Sequence, residues 1–208
     1  MAGEYRWYFI YQYIWANDDR LIAWEASEVG SFEMPFATGN IIAVNVDGTQ
    51  KRWIFGSGKA SGTSRKVQRH SRRVAAEVSH RLPKDNKHVL MEVYTFGGKD
   101  GGFTRLVKLN IYTGRELHIA TSPIRRASLM VDGDGDLRYA YGYDIDDNED
   151  WKVFERAKNS WKLISRSKEY EGRFLPQAFT PDNEQMYVLD NNDTDKTALY
   201  LYDIGSGA

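Results

Sequence analysis

Two acidic runs are the first residues in this sequence that could do chemistry. "DGDGD" at 132–136 and "DIDDNED" at 144–150 together carry eight carboxylates. Several hard oxygen ligands at close spacing suit calcium. A helix–loop–helix calcium site would place Asp144, Asp146, Asn148 and Glu155 at its first, third, fifth and twelfth positions, and all four residues are present. Its sixth position, where the sharp turn requires Gly, is Glu149, and no flanking helices are predicted. The run at 132–136 has Leu137 and Tyr143 at the sixth and twelfth positions. Both runs therefore read as turns in which Asp and Gly supply the backbone geometry. No metal ligand is assigned.

Acid–base and nucleophilic chemistry find equally little support. The histidines are His70, His80, His88 and His118, and none has a nucleophile at motif spacing. His80 and His88 flank a predicted hairpin turn. A nucleophile elbow needs Gly-x-Ser-x-Gly between a strand and a helix, and no serine sits in that pattern. "FGSGKASG" at 55–62 resembles a phosphate loop, but Trp53 stands five before Gly58 and Ala60 follows Lys59. That motif needs Gly first and Ser or Thr last, so that backbone amides wrap the phosphates. The stretch reads as a flexible loop. No catalytic and no cofactor-binding residue is assigned.

Charge is unevenly spread although the net charge is −1. From Gly48 to Ala76 there are eight Lys or Arg and no acid; from Asp132 to Asp150 there are eight acids and one Arg. The basic stretch reads as a solvated loop, with steering of an acidic partner as the functional alternative. Nucleic acid would call for aromatics interleaved with the cations, and there are none between Gly56 and Ala76. No apolar run approaches the ~20 residues of a membrane helix. The start, "MAGEYRWYFIYQYIW", lacks the cationic-then-apolar layout of a secretory signal, which points to the cytoplasm rather than the periplasm. Cysteine is absent, so there is no disulfide frame.

The elements that carry these residues are strands. Aromatics make up 13% and are rich in Tyr and Trp, which favour strands. Apolar runs are short, alternate at period two and end in Gly, Asp, Asn or Pro. Val107, Leu109 and Ile111 share a face, as do Ile42, Val44 and Val46, and Val89, Met91 and Val93. Turns recur in two sets. The first is "NDD" at 17–19, "PKDN" at 83–86, "DGDG" at 132–135 and "PDNE" at 181–184. The second is "VDG" at 46–48, "YTG" at 112–114, "KNS" at 158–160 and "GSG" at 205–207. Asp85 to Asp134 and Asp134 to Asn183 are 49 residues each; Gly114 to Ser160 is 46 and Ser160 to Gly207 is 47.

A strand-rich unit repeated at this period predicts propeller blades, which stack because one blade cannot bury both its faces. The expected fold is all-β: a partial propeller of about four blades, each a four-stranded antiparallel sheet. The blades are expected at 1–56, 74–120, 121–166 and 167–208, with 57–73 an inserted basic loop. The last has three strands, so the chain is expected to break off within a blade. Open sheet faces and an unpaired edge favour self-association.

"RLPKDNKHVLMEVYTF", "RLVKLNIYTGRELHIA", "VDGDGDLRYAYGYD" and "FLPQAFTPDNEQMYVLDNNDTDKTALYLYDIGSG" resemble the N-terminal propeller of the prolyl oligopeptidase family of serine peptidases, in the branch similar to acylaminoacyl peptidases and dipeptidyl aminopeptidases. The resemblance runs from about residue 77 to 207. It implies a propeller that caps an α/β-hydrolase domain, gates entry of peptides and lines part of the substrate cavity. The catalytic Ser, Asp and His of that family lie in the hydrolase domain, and no residue here matches them. Paired Glu residues hold a substrate amino terminus in some members; here Glu155 stands alone beside Arg156. The expected partners are thus the hydrolase domain and a peptide, with neither nucleic acid nor membrane. The closing motif also resembles TolB-like propellers, which leaves a stand-alone protein-binding platform as the alternative.

Overall fold

The structure, a computed structural model, describes residues 6–29, 35–56, 74–96, 101–168, 173–191 and 195–207. The basic stretch 57–73, His70, and the phosphate-loop resemblance beyond Gly56 lie outside the described residues. Every element among the described residues is a strand.

Among the described residues, fifteen strands form four antiparallel sheets, each in simple sequence order. Sheet one holds β1 (Arg6–Asn17), β2 (Arg20–Val29), β3 (Phe36–Asn45) and β4 (Arg52–Phe55). Sheet two holds β5 (Val74–His80), β6 (His88–Thr95), β7 (Phe103–Asn110) and β8 (Glu116–Arg125). Sheet three holds β9 (Ser128–Val131), β10 (Leu137–Asp144), β11 (Asp150–Ala157) and β12 (Ser160–Ser167). Sheet four has three strands, β13 (Leu175–Phe179), β14 (Gln185–Asp190) and β15 (Ala198–Asp203). Four such antiparallel meanders are what the 46–49 residue repeat predicts.

The chain divides into two compact units, 1–99 with 107–119, and 100–106 with 120–208. In the first, Ile22, Trp24, Ile41 and Ala43 of sheet one join Val89, Met91, Val107 and Leu109 of sheet two in one buried cluster. In the second, Met130, Tyr139, Trp151 and Val153 of sheet three join Met186 and Val188 of sheet four. Each joint holds an indole hydrogen bond, made from the second strand of sheet one and from the third strand of sheet three. The Trp24 indole N–H donates to the Ala76 carbonyl at 2.8 Å, and the Trp151 indole N–H donates to the Phe174 carbonyl at 2.9 Å. Each unit therefore pins its two sheets with a buried tryptophan whose one polar atom is satisfied.

The recurring turns also clasp one another. The Asn17 amide donates to the Asn86 carbonyl at 2.6 Å. In the second unit Asn183 accepts from the Gly133 N–H at 2.9 Å and donates to Asp134 at 3.0 Å. Turns of the first set thus meet across each joint, which gives the Asn and Asp in them a second role beyond turn geometry.

In β3, Ile41 and Ala43 join the cluster shared with sheet two, while Ile42 on the other face is buried as well; Val46, just past the strand, is 62% exposed. Both faces of this strand are apolar, so alternation alone does not say which one meets a neighbour.

Gly114 closes the "YTG" turn at φ +69°, and a Cβ there would lie 2.7 Å from the Ile54 carbonyl oxygen and 3.0 Å from its Cα. Gly114→Ala is expected to cost about 3 kcal/mol, from a left-handed backbone plus a contact that only backbone movement relieves. Gly48, at φ +82° with open space for 4 Å around the place a Cβ would take, provides the comparison. Gly48→Ala is expected to cost about 1 kcal/mol, the backbone term alone. Urea unfolding of both variants tests this, and equal losses would contradict the contact.

Candidate functional site

The acidic run at 144–150 is an ion network whose cations come from the chain itself. It occupies the turn between β10 and β11, where Asp147 N–H and Glu149 N–H both donate to the Asp144 carbonyl at 3.0 Å. The Lys152 ammonium, buried on β11, donates to Asp144 at 2.8 Å and to Asp147 at 2.5 Å. Arg166 on β12 lies 3.3 Å from Asp147 and donates to Asp150 at 2.5 Å. Arg125 pairs with Asp146 at 2.8 Å. Burial lowers the Lys152 pKa, but the hydrogen bonds to Asp144 and Asp147 outweigh it and leave it raised. The hydrogen bond from Lys152 holds Asp147 below the usual carboxylate range. Lys152 thus occupies the position a cation would take. Glu155, at the twelfth position of a calcium loop, lies opposite Tyr139 in the β10–β11 ladder, away from the turn. Among the described residues no group of three or more His, Asp or Glu is arranged to hold a metal.

The run at 132–136 is a self-capped turn. Asp132 is buried and its Oδ1 accepts from the Asp134 and Asp136 N–H groups at 3.1 and 2.9 Å. Its other oxygen lies 3.1 Å from Arg138.

His80 ends β5 and His88 begins β6, on either side of the turn the sequence predicted. His80 Nδ1 accepts from the Leu82 N–H at 3.0 Å. His88 Nδ1 lies 2.9 Å from Asp85, and its Nε2 lies 3.1 Å from the Asn110 amide. Both ring nitrogens of His88 are engaged by structural partners. His118 lies on β8.

Asp85 also takes the Lys108 ammonium at 2.7 Å. Burial raises its pKa, and the hydrogen bonds from Lys108, His88 and the Lys87 N–H more than offset this, so it falls far below the usual value. A depressed folded pKa stabilises above the unfolded pKa of about 4 and loses that contribution as pH falls through the folded value. Asp85→Asn is therefore expected to be destabilised against wild type at pH 7, with the gap narrowing as pH drops below about 4. Urea midpoints across that range check it; a gap that does not change with pH counts against it.

Arg20 is the functional-looking residue that sequence reading missed. It opens β2 directly after the "NDD" turn and is 1% exposed. Its Nε donates to the Ile111 carbonyl at 2.9 Å, Nη1 to Asn45 at 2.5 Å and Nη2 to the Gln50 carbonyl at 3.1 Å. The guanidinium also lies 4.7 Å from the Tyr112 ring centre. Burial lowers its pKa. It ties β2, β3 and the turn after β7 together by satisfying carbonyls. An Arg leading an apolar run after a turn was the available signal, but an exposed snorkelling Arg gives the same pattern.

A groove of about 500 Å³ lies in the second unit, at the β9 edge of sheet three. Its walls are Tyr141, Tyr143 and Trp151, with Ile145 and Ser128 beside them and Arg126 and Glu149 also in the lining. Tyr143 meets Trp151 edge-on at 5.1 Å, and Tyr141 lies 5.8 Å from it. Arg173 stacks 5.7 Å from both the Tyr143 and Trp151 rings and donates to the Tyr143 hydroxyl. Arg126 and Glu149 hold left-handed backbones at φ +56° and +58°, uncommon for long side chains. The rings stand on paired strands β10 and β11, which fixes them. Chemically, the lining offers apolar rings, one cation and one carboxylate.

Among solved structures, an oligogalacturonate lyase in complex with manganese is similar to this chain, with a TM-score of 0.53 and 18% sequence identity. The match covers 89% of this chain and 45% of that one, so the chain spans under half the length of the structure it resembles. The four sheets are a partial β-propeller. At this identity the likeness concerns the fold alone. No family model and no curated protein matches the chain.

Proposed function

We propose that this chain is the non-catalytic propeller portion of a serine peptidase, gating and partly lining the peptide cavity of an α/β-hydrolase domain outside these residues. The observation that carries this reading is the groove on sheet three. Its rings suit an apolar peptide side chain, Arg126 suits a peptide carbonyl or carboxylate, and Glu149 suits an amine. The ordered motifs from "LPKD" to the closing "TPDNEQMYV" support the same family. His88, the histidine closest to a base in appearance, is held at both nitrogens, which suits a structural role.

The chain on its own is expected to give no turnover of an acylated amino-acid anilide. Turnover abolished by a serine-directed phosphonate would overturn the proposal. In the parent polypeptide, phosphonate labelling is expected on a serine outside these residues. A parent without such a serine would leave the stand-alone binding platform, which the solvent-facing aromatic strand β1 favours: Trp7 is 69% exposed.

A further inference from the structure

The groove on sheet three is bordered by main chain as well as by side chains. Strand β10 keeps its ladder with β11 as far as Asp144 opposite Asp150. Its ladder with β9 stops sooner, at Tyr141 opposite Ser128. Among the described residues, no strand lies beside residues 142–144 on that side. The Asp144 carbonyl accepts from the Glu149 N–H at 3.0 Å across the turn into β11, so Asp144 faces the β11 side. In an antiparallel ladder, successive residues turn their N–H and C=O to opposite neighbours. Tyr143 therefore directs both main-chain groups to the side that β9 does not reach, where the groove runs along Gly142 and Tyr143.

The local geometry holds this edge open. Arg126 has a backbone φ of +56°, and its N–H donates to the Gly102 carbonyl at 2.6 Å. The Ala127 carbonyl accepts from the Thr104 hydroxyl at 2.7 Å. The same segment crosses the face of β10 at Gly142, where a Cβ would stand 3.3 Å from the Ala127 Cα. The residues before β9 are thus tied elsewhere and do not continue its ladder past Tyr141. An open strand edge is a template for another strand.

The charges beside this edge indicate which strand, and in which direction. In the acidic run, Asp144 and Asp147 share Lys152, Asp146 takes Arg125, and Asp150 takes Arg166. Glu149 takes none of these cations and Arg126 none of these carboxylates, yet both line the groove. Glu149 lies at the turn end of β10, and Arg126 at the end where β9 begins. A segment running in the direction of β9 would enter at Glu149 and leave at Arg126. Its free amine would then meet the carboxylate, and its free carboxylate the guanidinium. We infer that a short extended peptide with free termini adds here as a strand, antiparallel to β10, with one residue exchanging both main-chain hydrogen bonds with Tyr143. That residue's side chain falls on the face of Tyr143 and Trp151, because residues directly opposite share a face, and an apolar one suits those rings. This rests on reading the groove as a peptide site, and not on the hydrolase domain.

Calorimetric titration of the 208-residue chain with the tripeptide Ala-Leu-Ala, free at both ends, tests this. Binding is expected, with the leucine opposite Tyr143. Methylating the leucine nitrogen is expected to weaken it roughly tenfold or more, since that N–H is the donor to Tyr143. Methylating the nitrogen of the third residue is expected to change it less than about twofold, since that N–H points away from β10. Glu149→Gln is expected to weaken the free peptide roughly tenfold and leave its N-acetyl form unchanged; Arg126→Gln is expected to do the same to the free peptide and spare its C-terminal amide. Both positions are exposed, and near-UV circular dichroism checks that the variants are folded. No binding at millimolar peptide overturns the inference, as do equal losses from the two methylations, which mean contact without strand pairing. A Glu149→Gln loss that persists with the acetylated peptide also overturns it. Absent tripeptide binding counts against it even where phosphonate labels a serine of the parent, and binding in the expected pattern supports it even where none is labelled.

Discussion

Arg20→Met is expected to lower stability by about 3 kcal/mol, with the thermal midpoint falling roughly 6–12 °C for a chain of this size. Methionine fills most of the volume but gives no donor. The Ile111 and Gln50 carbonyls and the Asn45 side chain, which accept from the guanidinium, would then be left to one another in a site that Arg20 seals at 1% exposure. Relief of the buried charge offsets part of this loss, and the stranded acceptors outweigh it because each costs about 1–3 kcal/mol. Arg20→Lys separates charge from geometry. The ammonium keeps the cation but cannot present the planar fork that reaches three acceptors, so its loss is expected between wild type and Arg20→Met. A lysine variant as stable as wild type would show that charge alone matters. A methionine variant within about 1 kcal/mol of wild type would show that the acceptors find other partners.

The second large effect is at Lys152. Lys152→Met removes the ammonium that lies between Asp144 and Asp147 and leaves Asp144 buried beside its neighbours at 8% exposure. Breaking a buried pair from one side typically costs 3–5 kcal/mol, and about 3 kcal/mol is expected here. Asp144→Asn added to Lys152→Met is expected to recover part of the loss, because the stranded charge goes with it. The pH dependence has a definite sign. The Lys152 pKa is raised in the folded chain, so its contribution is full below the unfolded value of about 10.4 and is lost as pH rises through the folded value. Wild type should therefore approach the variant in strong alkali and not near neutrality. Denaturant titrations of the two singles and the double, at neutral and alkaline pH, check both statements. A double variant no better than Lys152→Met would remove the ion network as the cause.

The strands and their turns were legible because both are local. Alternating apolar residues and Asp, Asn and Gly turns act within a few positions, and the four turns in each set match the four sheets. The acidic run was legible as a turn, since Glu149 stands where a calcium loop needs glycine. Its neutralisation by Lys152 and Arg166 was not legible. Those cations lie on β11 and β12 and reach the turn only once three strands are paired in register. For the same reason the set of β3 that packs on sheet two could not be told from the other, because both faces are apolar and only a neighbouring sheet distinguishes them.

The groove was harder still. Tyr141, Tyr143 and Trp151 read as ordinary strand aromatics, and most such residues are core. What makes a wall of them is the short β9, which leaves the end of β10 without a ladder partner on that side.

Local pattern was enough to make this chain all strand, in a repeated meander with stated turns, because hydrogen bonding and side-chain alternation are settled over a few residues. Packing between sheets chose which apolar face is buried and which cation neutralises which carboxylate. It also put Arg20 in the core and not at the surface. Those outcomes depend on what a neighbouring sheet removes from water, and no short stretch of residues encodes that.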